Sequence, residues 1–273
     1  MEPEGHPEDE RFLVELGRKT IKVSLGLVDE IAFFGDTVIS TGSALLHPTT
    51  VRWLDVLRTM RQAGADAFPI VALISFLMGA IIAFMSSIQL KQFGAQIYVA
   101  DLVAIAIVRE LSPIMTAILV AGRSGSAFAA EIGSMRVNEE LDALVTMGFD
   151  PIRFLVVPRV LAMIVVLPLL TVYADLFGIF GGLTVGTVGL DLTVASYLAE
   201  SRKVLSIFPV LTSFAKTIVF ALLVASVGCQ RGFRVHGGAD AVGSAATSSV
   251  VTSIFLIIVT DSMFAVAQQY LKQ

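Results

Sequence analysis

The sequence has little charge, one cysteine and few histidines. Charged residues make up 15% of the 273 residues, whereas an ordinary soluble domain has about 25%. Cys229 alone cannot form an intrachain disulfide, and His6, His47 and His236 lack the spacing of metal ligands. No phosphate-binding G-x-x-x-x-G-K-[ST] loop is present. We therefore predict no metal site, no catalytic residue and no resident cofactor on this chain.

Long uncharged runs are the main feature of what is present. Apolar residues make up 55% of the chain, and the mean hydropathy is +0.82. A membrane-spanning helix needs about 20 mostly apolar residues, and several runs reach that length. The sequence thus predicts an all-α polytopic membrane protein. The predicted spans are 67–90, 98–122, 160–186, 207–229 and 247–271.

The third span lies in an exceptionally long apolar run and could alternatively be two short helices broken at Gly181-Gly182. Residues 1–65, in contrast, carry frequent charges, and residues 66–273 form the predicted transmembrane domain. The opening MEPEGHPEDE has neither a basic region nor an apolar run, so we interpret it as a solvated acidic tail rather than a signal peptide.

Between that tail and the first span, apolar residues recur at helical spacing but are interrupted by charges. This pattern holds from Phe12 to Leu46 and again in HPTTVRWLDVLRTMRQAG. It is typical of amphipathic helices that lie in the membrane interface. A pair of helices in the cytosol is the alternative.

Basic residues indicate the orientation of the spans. With the N-terminus in the cytoplasm, 13 of the 19 lysines and arginines are cytoplasmic and 4 are outside, while Arg109 and Lys216 lie within spans. Cytoplasmic loops carry the excess of Lys and Arg in membrane proteins. We therefore predict a cytoplasmic N-terminus and a C-terminus on the opposite side.

Six ionisable residues lie within the predicted spans, among them Asp101 and Asp175. The other four are Arg109, Glu110, Lys216 and Asp261. Each costs roughly 2.5–3.5 kcal/mol near the bilayer centre on insertion scales. A helical rise of about 1.5 Å per residue places them about 14–17 Å below the outer surface, so we expect one charge-balanced network. It could line a substrate cavity, hold helices together as ion pairs, or relay protons.

Gly178, Gly182 and Gly186 form a small-xxx-small ridge on the third span. Such ridges let helices approach closely in membranes. The ridge could be the seam of a homodimer or an internal packing surface.

The polar segment 124–147 follows the second span and is predicted to be one cytoplasmic helix, which Gly133 or Asn138 could bend. Its charged surface includes Glu131, Arg136, Glu139 and Glu140. Such a helix between two spans suits the docking of a separate motor protein. An ordinary interfacial loop helix is the alternative.

The residues from Arg109 onwards also carry a family resemblance. DALVTMG loosely resembles the EAA-x-x-x-G signature of ABC-importer permeases. More specifically, RELSPIMTAILVAGRSGSAFAAEIGSMRVNEELDALVTMGFDPIRFLVVPR resembles the MlaE family of ABC permeases, with its R-E-L-G-P, A-G-R-x-G-S-A, A-E-I-G-x-M and D-P-x-x-x-x-x-x-P-R elements. The resemblance runs from about Ala65 to the C-terminus. Ser112 replaces the family glycine, and Asp175 stands at an apolar family position, so we assign Asp175 no role.

The resemblance implies an inner-membrane permease of a bacterial phospholipid-transport system, not itself an enzyme. The expected assembly is a homodimer with a lipid-accommodating cavity, a cytoplasmic ABC ATPase that binds ATP and Mg²⁺, a periplasmic MCE-domain protein and often a small STAS-domain protein. No nucleic-acid partner is expected. By the same resemblance, Arg109, Glu110, Lys216 and Asp261 carry the intramembrane charge, and the segment from Glu131 to Glu140, including Gly133, couples to the ATPase.

Two other classes of function remain open from the residues alone. One is a secondary transporter driven by protons through Glu110 and Asp261, although no inverted repeat is evident and five spans do not divide evenly. The other is a membrane scaffold that transports nothing. The first predicts uptake that collapses with the proton gradient, and the second predicts no transport defect when the buried charges are neutralised.

Overall fold

The computed structural model describes residues 28–271, and every regular element in that part of the chain is helical. The acidic tail and the first part of the predicted amphipathic helix lie outside these residues. The helices, numbered in chain order, are α1 (28–46), α2 (Trp53–Gly64), α3 (Phe68–Lys91), α4 (Gln96–Val137), α5 (Glu140–Thr146), α6 (Ile152–Gly189), α7 (Val194–Val204), α8 (Ile207–Phe233) and α9 (Ala239–Leu271).

Helices α3, α4, α6, α8 and α9 are long and apolar enough to cross a membrane, which confirms the predicted all-α polytopic fold. Helix α6 lies at the centre of the bundle: 72% of its most apolar window is buried, against 11% for α9. It is continuous through Gly181-Gly182, so the two-helix alternative is wrong. The end of the bundle with α2, Val137 and Arg234 is named the inner end, and the end with Lys91 and Gly189 the outer end.

Helices α3 and α6 make backbone contact because small residues face each other. The buried face of α3 repeats every four residues, at Val71, Ser75, Gly79, Ala83 and Ser87. A methyl group added to Gly79 would collide with the carbonyl of Gly178, and one added to Gly181 would collide with the carbonyl of Phe76. Close approach through small residues is a usual way for spanning helices to pack without a hydrophobic driving force.

The glycine ridge of α6 is an internal packing surface. A Cβ on Gly178 would lie 2.8 Å from Ile107, and a Cβ on Gly182 would lie 2.5 Å from the Tyr197 hydroxyl. A Cβ on Gly186 would lie 3.1 Å from the same ring. All three glycines are buried by their own chain. The dimer-seam interpretation is therefore wrong, because no face of the ridge is left for a second copy.

The segment 124–147 is not one helix, and of the two predicted bend positions the break occurs at Asn138. Its first half, Ser126–Val137, is the inner end of α4. The chain then breaks at Asn138 and Glu139, and Glu139 adopts the left-handed conformation with φ 59°. A left-handed residue is a common helix terminator, and the seven-residue α5 starts immediately afterwards. Gly133 does not bend the helix.

The loop between α8 and α9 is shorter than the sequence suggested. Helix α8 continues to Phe233, and α9 begins at Ala239 rather than at 247. The glycine- and alanine-rich sequence in this region reads as a loop, yet only the residues around Gly237, with φ 118°, leave helical conformation. Both helices therefore extend beyond the predicted spans at the inner end.

Helix α2 is amphipathic, as predicted, and packs its narrow buried face, with Val56 and Ala63, towards α6. Its outer face exposes Trp53, Leu54 and Leu57. Large apolar side chains on the outer face of a charged helix favour a position in the membrane interface over a cytosolic one.

Candidate functional site

The four intramembrane charges form a single network that joins α4, α8 and α9. The Lys216 ammonium donates to Glu110 Oε2 at 2.5 Å and to Asp261 Oδ1 at 2.8 Å. The Arg109 Nε donates to Glu110 Oε1 at 3.1 Å. The structure thus brings together all four residues that the depth estimate placed at one level.

The backbone of α4 is irregular where it carries this network. Residues Ile107–Leu111 form a π-helical turn, a feature often found at functional sites. Pro113 follows and has no N–H for the carbonyl of Arg109, its i−4 partner in an α-helix. The Lys216 Nζ lies 3.4 Å from that carbonyl oxygen. The lysine therefore contacts both the side chains and the main chain of the irregular turn.

Lys216 is the buried centre of the network. Its side chain is fully buried, and an ammonium group has three N–H donors. The two carboxylates and the Arg109 carbonyl match those donors in number. Removing one member of a buried ion pair leaves an uncompensated charge and costs about 3–5 kcal/mol. The pairing therefore stabilises the contact of α8 with α4 and α9.

The Arg109 side of the network is open. The Arg109 side chain is 28% exposed and that of Glu110 is 32% exposed, whereas that of Asp261 is 15% exposed. A charge facing hydrocarbon at this depth is costly, so ionisable groups within spans almost always face protein or a water-filled cavity. We therefore expect Arg109 to face a water-filled cavity or another protein rather than lipid hydrocarbon.

A second polar position lies outside this network. Asp175 is on α6, where the Ser112 hydroxyl of α4 lies close to its carboxyl group. Neither Asp175 Oδ1 nor Ser112 Oγ completes a hydrogen bond with the part of the chain that the structure describes. The two departures from the MlaE pattern are therefore neighbours. No local pattern predicts this contact, because contacts between distant helices leave no trace in local periodicity.

At the inner end, ion pairs between motif elements hold α4 in place. Glu131 accepts from Arg159 of α6 at 2.9 Å, and the Arg159 guanidinium lies over the Phe128 ring at 5.6 Å. Arg136 donates to Asp142 of α5 at 2.6 Å. The A-E-I-G and P-R elements are thus structurally paired, and the second ion pair spans the helix break.

The other predicted coupling residues have different environments. Gly133 is buried, and a Cβ there would lie 2.8 Å from Val235 in the loop after α8. Glu139 and Glu140 are exposed, and Glu140 accepts from the Asn138 amide at 3.4 Å. Gly133 therefore permits a close helix–loop contact, while the two glutamates present charge to the surroundings.

An exposed apolar surface follows these glutamates along the chain. We name it the inner-end patch; it consists of Val145, Met147 and Phe149, which are 55%, 63% and 48% exposed. Val145 is adjacent in sequence to Leu144, but the structure buries Leu141 and Leu144 and leaves Val145 exposed. Gly148, with φ 82°, makes the turn that presents Met147 and Phe149. Exposed apolar patches with a polar rim mark interaction sites.

Within residues 28–271, no group of three His, Cys, Asp or Glu side chains is arranged to hold a metal ion. The candidate site thus consists of a buried ammonium group with two carboxylates and a partly exposed guanidinium beside them.

Comparison with known proteins shows the family to which this chain belongs. The family model described as Permease MlaE matches residues 56–267, which include all of α3, α4, α6 and α8. A probable ABC transporter permease of Rickettsia conorii is 35% identical over 246 residues, covering 90% of this chain and 93% of the relative.

Two further relatives come from photosynthetic organisms. A probable ABC transporter permease of Synechocystis is 34% identical over 223 residues, covering 81% of this chain and 85% of the relative. The protein TRIGALACTOSYLDIACYLGLYCEROL 1, chloroplastic, of Arabidopsis thaliana is 31% identical over 211 residues, covering 77% of this chain and 60% of the relative. Since the family model spans far more than half of the chain, the chain belongs to the MlaE family of ABC transporter permeases.

Proposed function

We propose that this chain moves phospholipid between the inner membrane of a bacterium and periplasmic MCE-domain carriers, as the permease of an ABC transporter. The observation that carries the proposal is the open side of the charge network, where Arg109 and Glu110 are about one-third exposed at membrane depth. Arg109 is held there by Glu110, which is itself held by the buried Lys216.

The chemical groups of a phospholipid match those on this surface. A guanidinium forms strong, often bidentate hydrogen bonds with phosphate, and Arg109 is the exposed cation of the network. Large apolar side chains on α9, including Phe255, Ile258 and Met263, are exposed on the same chain and suit acyl chains. Two copies facing each other across this surface would enclose a cavity with a charged girdle and apolar walls, so the proposal includes a homodimer.

Helix α4 supplies the mechanical connection to the motor. It continues from Gln96 to Val137 through two π-helical turns. Glu110 and Arg123 are 13 residues apart, about 20 Å along the axis. Arg123 donates to Asp66 at 2.7 Å, where both side chains are largely exposed. We infer that the inner-end patch and the glutamates beside it dock on a cytoplasmic ATPase, which binds ATP and Mg²⁺.

Two further considerations support a lipid cargo. MlaE permeases are expected to work with MCE-domain proteins and often with a STAS-domain protein, and this chain shares their motifs. The Arabidopsis relative carries the name of a glycerolipid, trigalactosyldiacylglycerol. The cargo class we infer is therefore a glycerolipid, with phospholipid as the bacterial representative.

The pairing within the network argues against proton-driven transport through Glu110 and Asp261. Both carboxylates are engaged by the same ammonium group, whereas a relay needs a carboxylate that is free to exchange its proton with the next group. A membrane scaffold predicts no transport defect when the buried charges are neutralised, so a transport assay distinguishes it from a transporter.

The test is to purify the tagged chain from its native membrane in mild detergent, identify co-purifying proteins and lipids by mass spectrometry, and assay ATP hydrolysis. We expect an ABC ATPase, an MCE-domain protein and bound phospholipid in the eluate, with ATPase activity. A solitary chain without ATPase activity, in a preparation where the chain is folded, would contradict the proposal.

A further inference from the structure

A half-open cleft separates α1 from α8 and α9 at the inner end of the bundle, away from the charge network. It has a volume of about 270 Å³, and its walls are largely apolar, with Phe33, Phe34, Leu223, Val227 and Leu256 among the lining residues. Small-molecule sites usually have volumes of about 300–1,000 Å³. The cleft lies just below this range and is open on one side, so it can hold part of one flexible chain but not a whole two-chain lipid.

Two buried polar groups in this cleft have no partner. Ser226 and Gln230 line it and are 2% and 5% exposed. Neither Ser226 Oγ nor Gln230 Nε2 makes a hydrogen bond with the described residues. Buried polar atoms are almost always hydrogen-bonded in native proteins, so unpaired donors that line an apolar cleft point to a ligand that carries acceptor oxygens.

Positive charge lies beside these donors. Arg231 donates through Nη2 to Glu30 at 2.9 Å and to Thr252 at 3.1 Å, and its Nε is unpaired. Arg234 also lies 3.5 Å from Glu30. Two guanidinium groups thus share one glutamate, Glu30, which itself lines the cleft. Arg234 also lies 3.9 Å from Asp29, so the two arginines face two carboxylates. Among the described residues, Gln230 Nε2 and Arg231 Nε still have no acceptor, and these donors suit the oxygens of a headgroup such as a carboxylate.

The direction of the cleft matches that of a lipid in a membrane. Gln230 and Arg231 are within three residues of Phe233, where α8 ends, so the donors are near the inner-end interface. Leu223 is seven residues earlier on α8, about 10 Å deeper along the axis. A headgroup at Gln230 would therefore place its chain along α8 towards the centre of the membrane.

We propose that this cleft binds a single acyl chain with an anionic headgroup, whose oxygens accept hydrogen bonds from Gln230 and Arg231. The site is separate from the charge network, because Gln230 is 14 residues from Lys216 on α8, about 21 Å along the axis. Its ligand would compete with Glu30 for Arg231 and so weaken the ion pair that ties α1 to α8. The cleft is thus a lipid-sensing contact of α1 rather than part of the transport cavity.

The test uses the purified full chain in mild detergent and a palmitic acid that carries a photoactivatable diazirine, with labelled peptides mapped by mass spectrometry. We expect label on cleft residues of α1, α8 and α9, and at least a fivefold loss of that label in Ser226→Phe, which fills the cleft. Ile218→Phe, on a partly exposed position of α8, is the matched control and should label normally. Leu223→Trp provides a second filling variant if Ser226→Phe does not fold.

Two more variants report on headgroup recognition. Gln230→Leu should reduce labelling by the palmitic acid but not by a diazirine alkane of equal length. Glu30→Gln should increase labelling by the acid, because Arg231 then lacks its carboxylate. Arg109→Gln should leave cleft labelling unchanged even where transport is lost, which separates this site from the proposed cargo pathway. Label spread evenly over the exposed faces of α3 and α9, and insensitive to both filling variants, would overturn the proposal.

Discussion

Lys216 and Glu110 face each other across the contact of α8 with α4, with 2.5 Å between the ammonium nitrogen and a carboxylate oxygen. The two side chains differ in exposure: Lys216 is fully buried, while Glu110 is 32% exposed. The same ion pair can therefore stabilise the bundle and fix the position of the exposed Arg109.

Replacing Lys216 with methionine should destabilise the fold strongly. The change leaves Glu110 and Asp261 without their shared cation in a low-dielectric site, and the expected loss is about 3–5 kcal/mol of unfolding free energy. Thermal unfolding in detergent measures it. Lys203→Met is the control, because Lys203 pairs with Glu200 on the surface and exposed ion pairs contribute little. Equal unfolding midpoints for the two variants would contradict the buried network.

Replacing Gly181 with valine should disrupt the contact of α3 with α6. The added side chain would overlap the Phe76 carbonyl, which is backbone and cannot move aside without separating the helices. Folded yield and the unfolding midpoint should both fall. Gly122→Val is the matched control, since no atom lies within 4 Å of a Cβ there. A Gly181→Val protein as stable as this control would show that the helix contact is misplaced.

A charge in the inner-end patch should weaken ATPase docking. Met147→Glu places a carboxylate on an apolar surface that already has Glu139 and Glu140 nearby, and we expect at least tenfold weaker binding of the ATPase. Phe93→Glu is the control, because Phe93 is also an exposed apolar residue, 79% against 63% for Met147, but lies at the outer end. Pull-down of the ATPase by the two variants measures the difference. Normal retention by Met147→Glu would remove the patch from the interface.

Cysteine cross-linking examines the same interface independently. A cysteine at Met147 or Glu139 should cross-link to the ATPase in the intact complex, whereas one at Phe93 should not. Cys229 is buried and does not interfere with a surface reagent.

Ser112 and Asp175 should be energetically coupled. Asp175→Leu removes a buried carboxyl oxygen that has no hydrogen-bond partner within residues 28–271, so we expect it to be neutral or stabilising. Ser112→Gly should destabilise the protein when Asp175 is present and have less effect when Asp175 is leucine. Residues in contact show coupling energies of about 0.5–3 kcal/mol, and a double-mutant cycle of unfolding free energies measures it. Additive effects would mean that the two side chains do not interact.

Much of the fold follows from local properties of the sequence. Runs of apolar residues predicted five spanning helices, and the helical rise alone placed Arg109, Lys216 and Asp261 at one depth. These inferences succeed because hydropathy and rise are properties of single helices. They required no knowledge of which helices are neighbours.

The predictions that were wrong depend on contacts between helices or on an unusual backbone conformation. The ridge of Gly178, Gly182 and Gly186 has the same pattern whether it packs against its own chain or a second copy, and the position of Tyr197 decides the outcome. The helix break at Glu139 depends on a left-handed backbone conformation that a glutamate rarely adopts. The cleft at Gln230 exists only because α1 lies over α8, which no local pattern records.

Arg109→Gln tests the central claim most directly. The side chain is partly exposed and joins the network only through Glu110, so the variant should keep its unfolding midpoint within a few degrees while the rate of phospholipid transfer, measured with fluorescent lipid in reconstituted vesicles, falls at least tenfold. Arg202→Gln, on the outer-end helix α7, is the control and should transfer lipid normally. A folded Arg109→Gln protein that transports at the control rate would show that the network holds helices together and has no part in moving lipid.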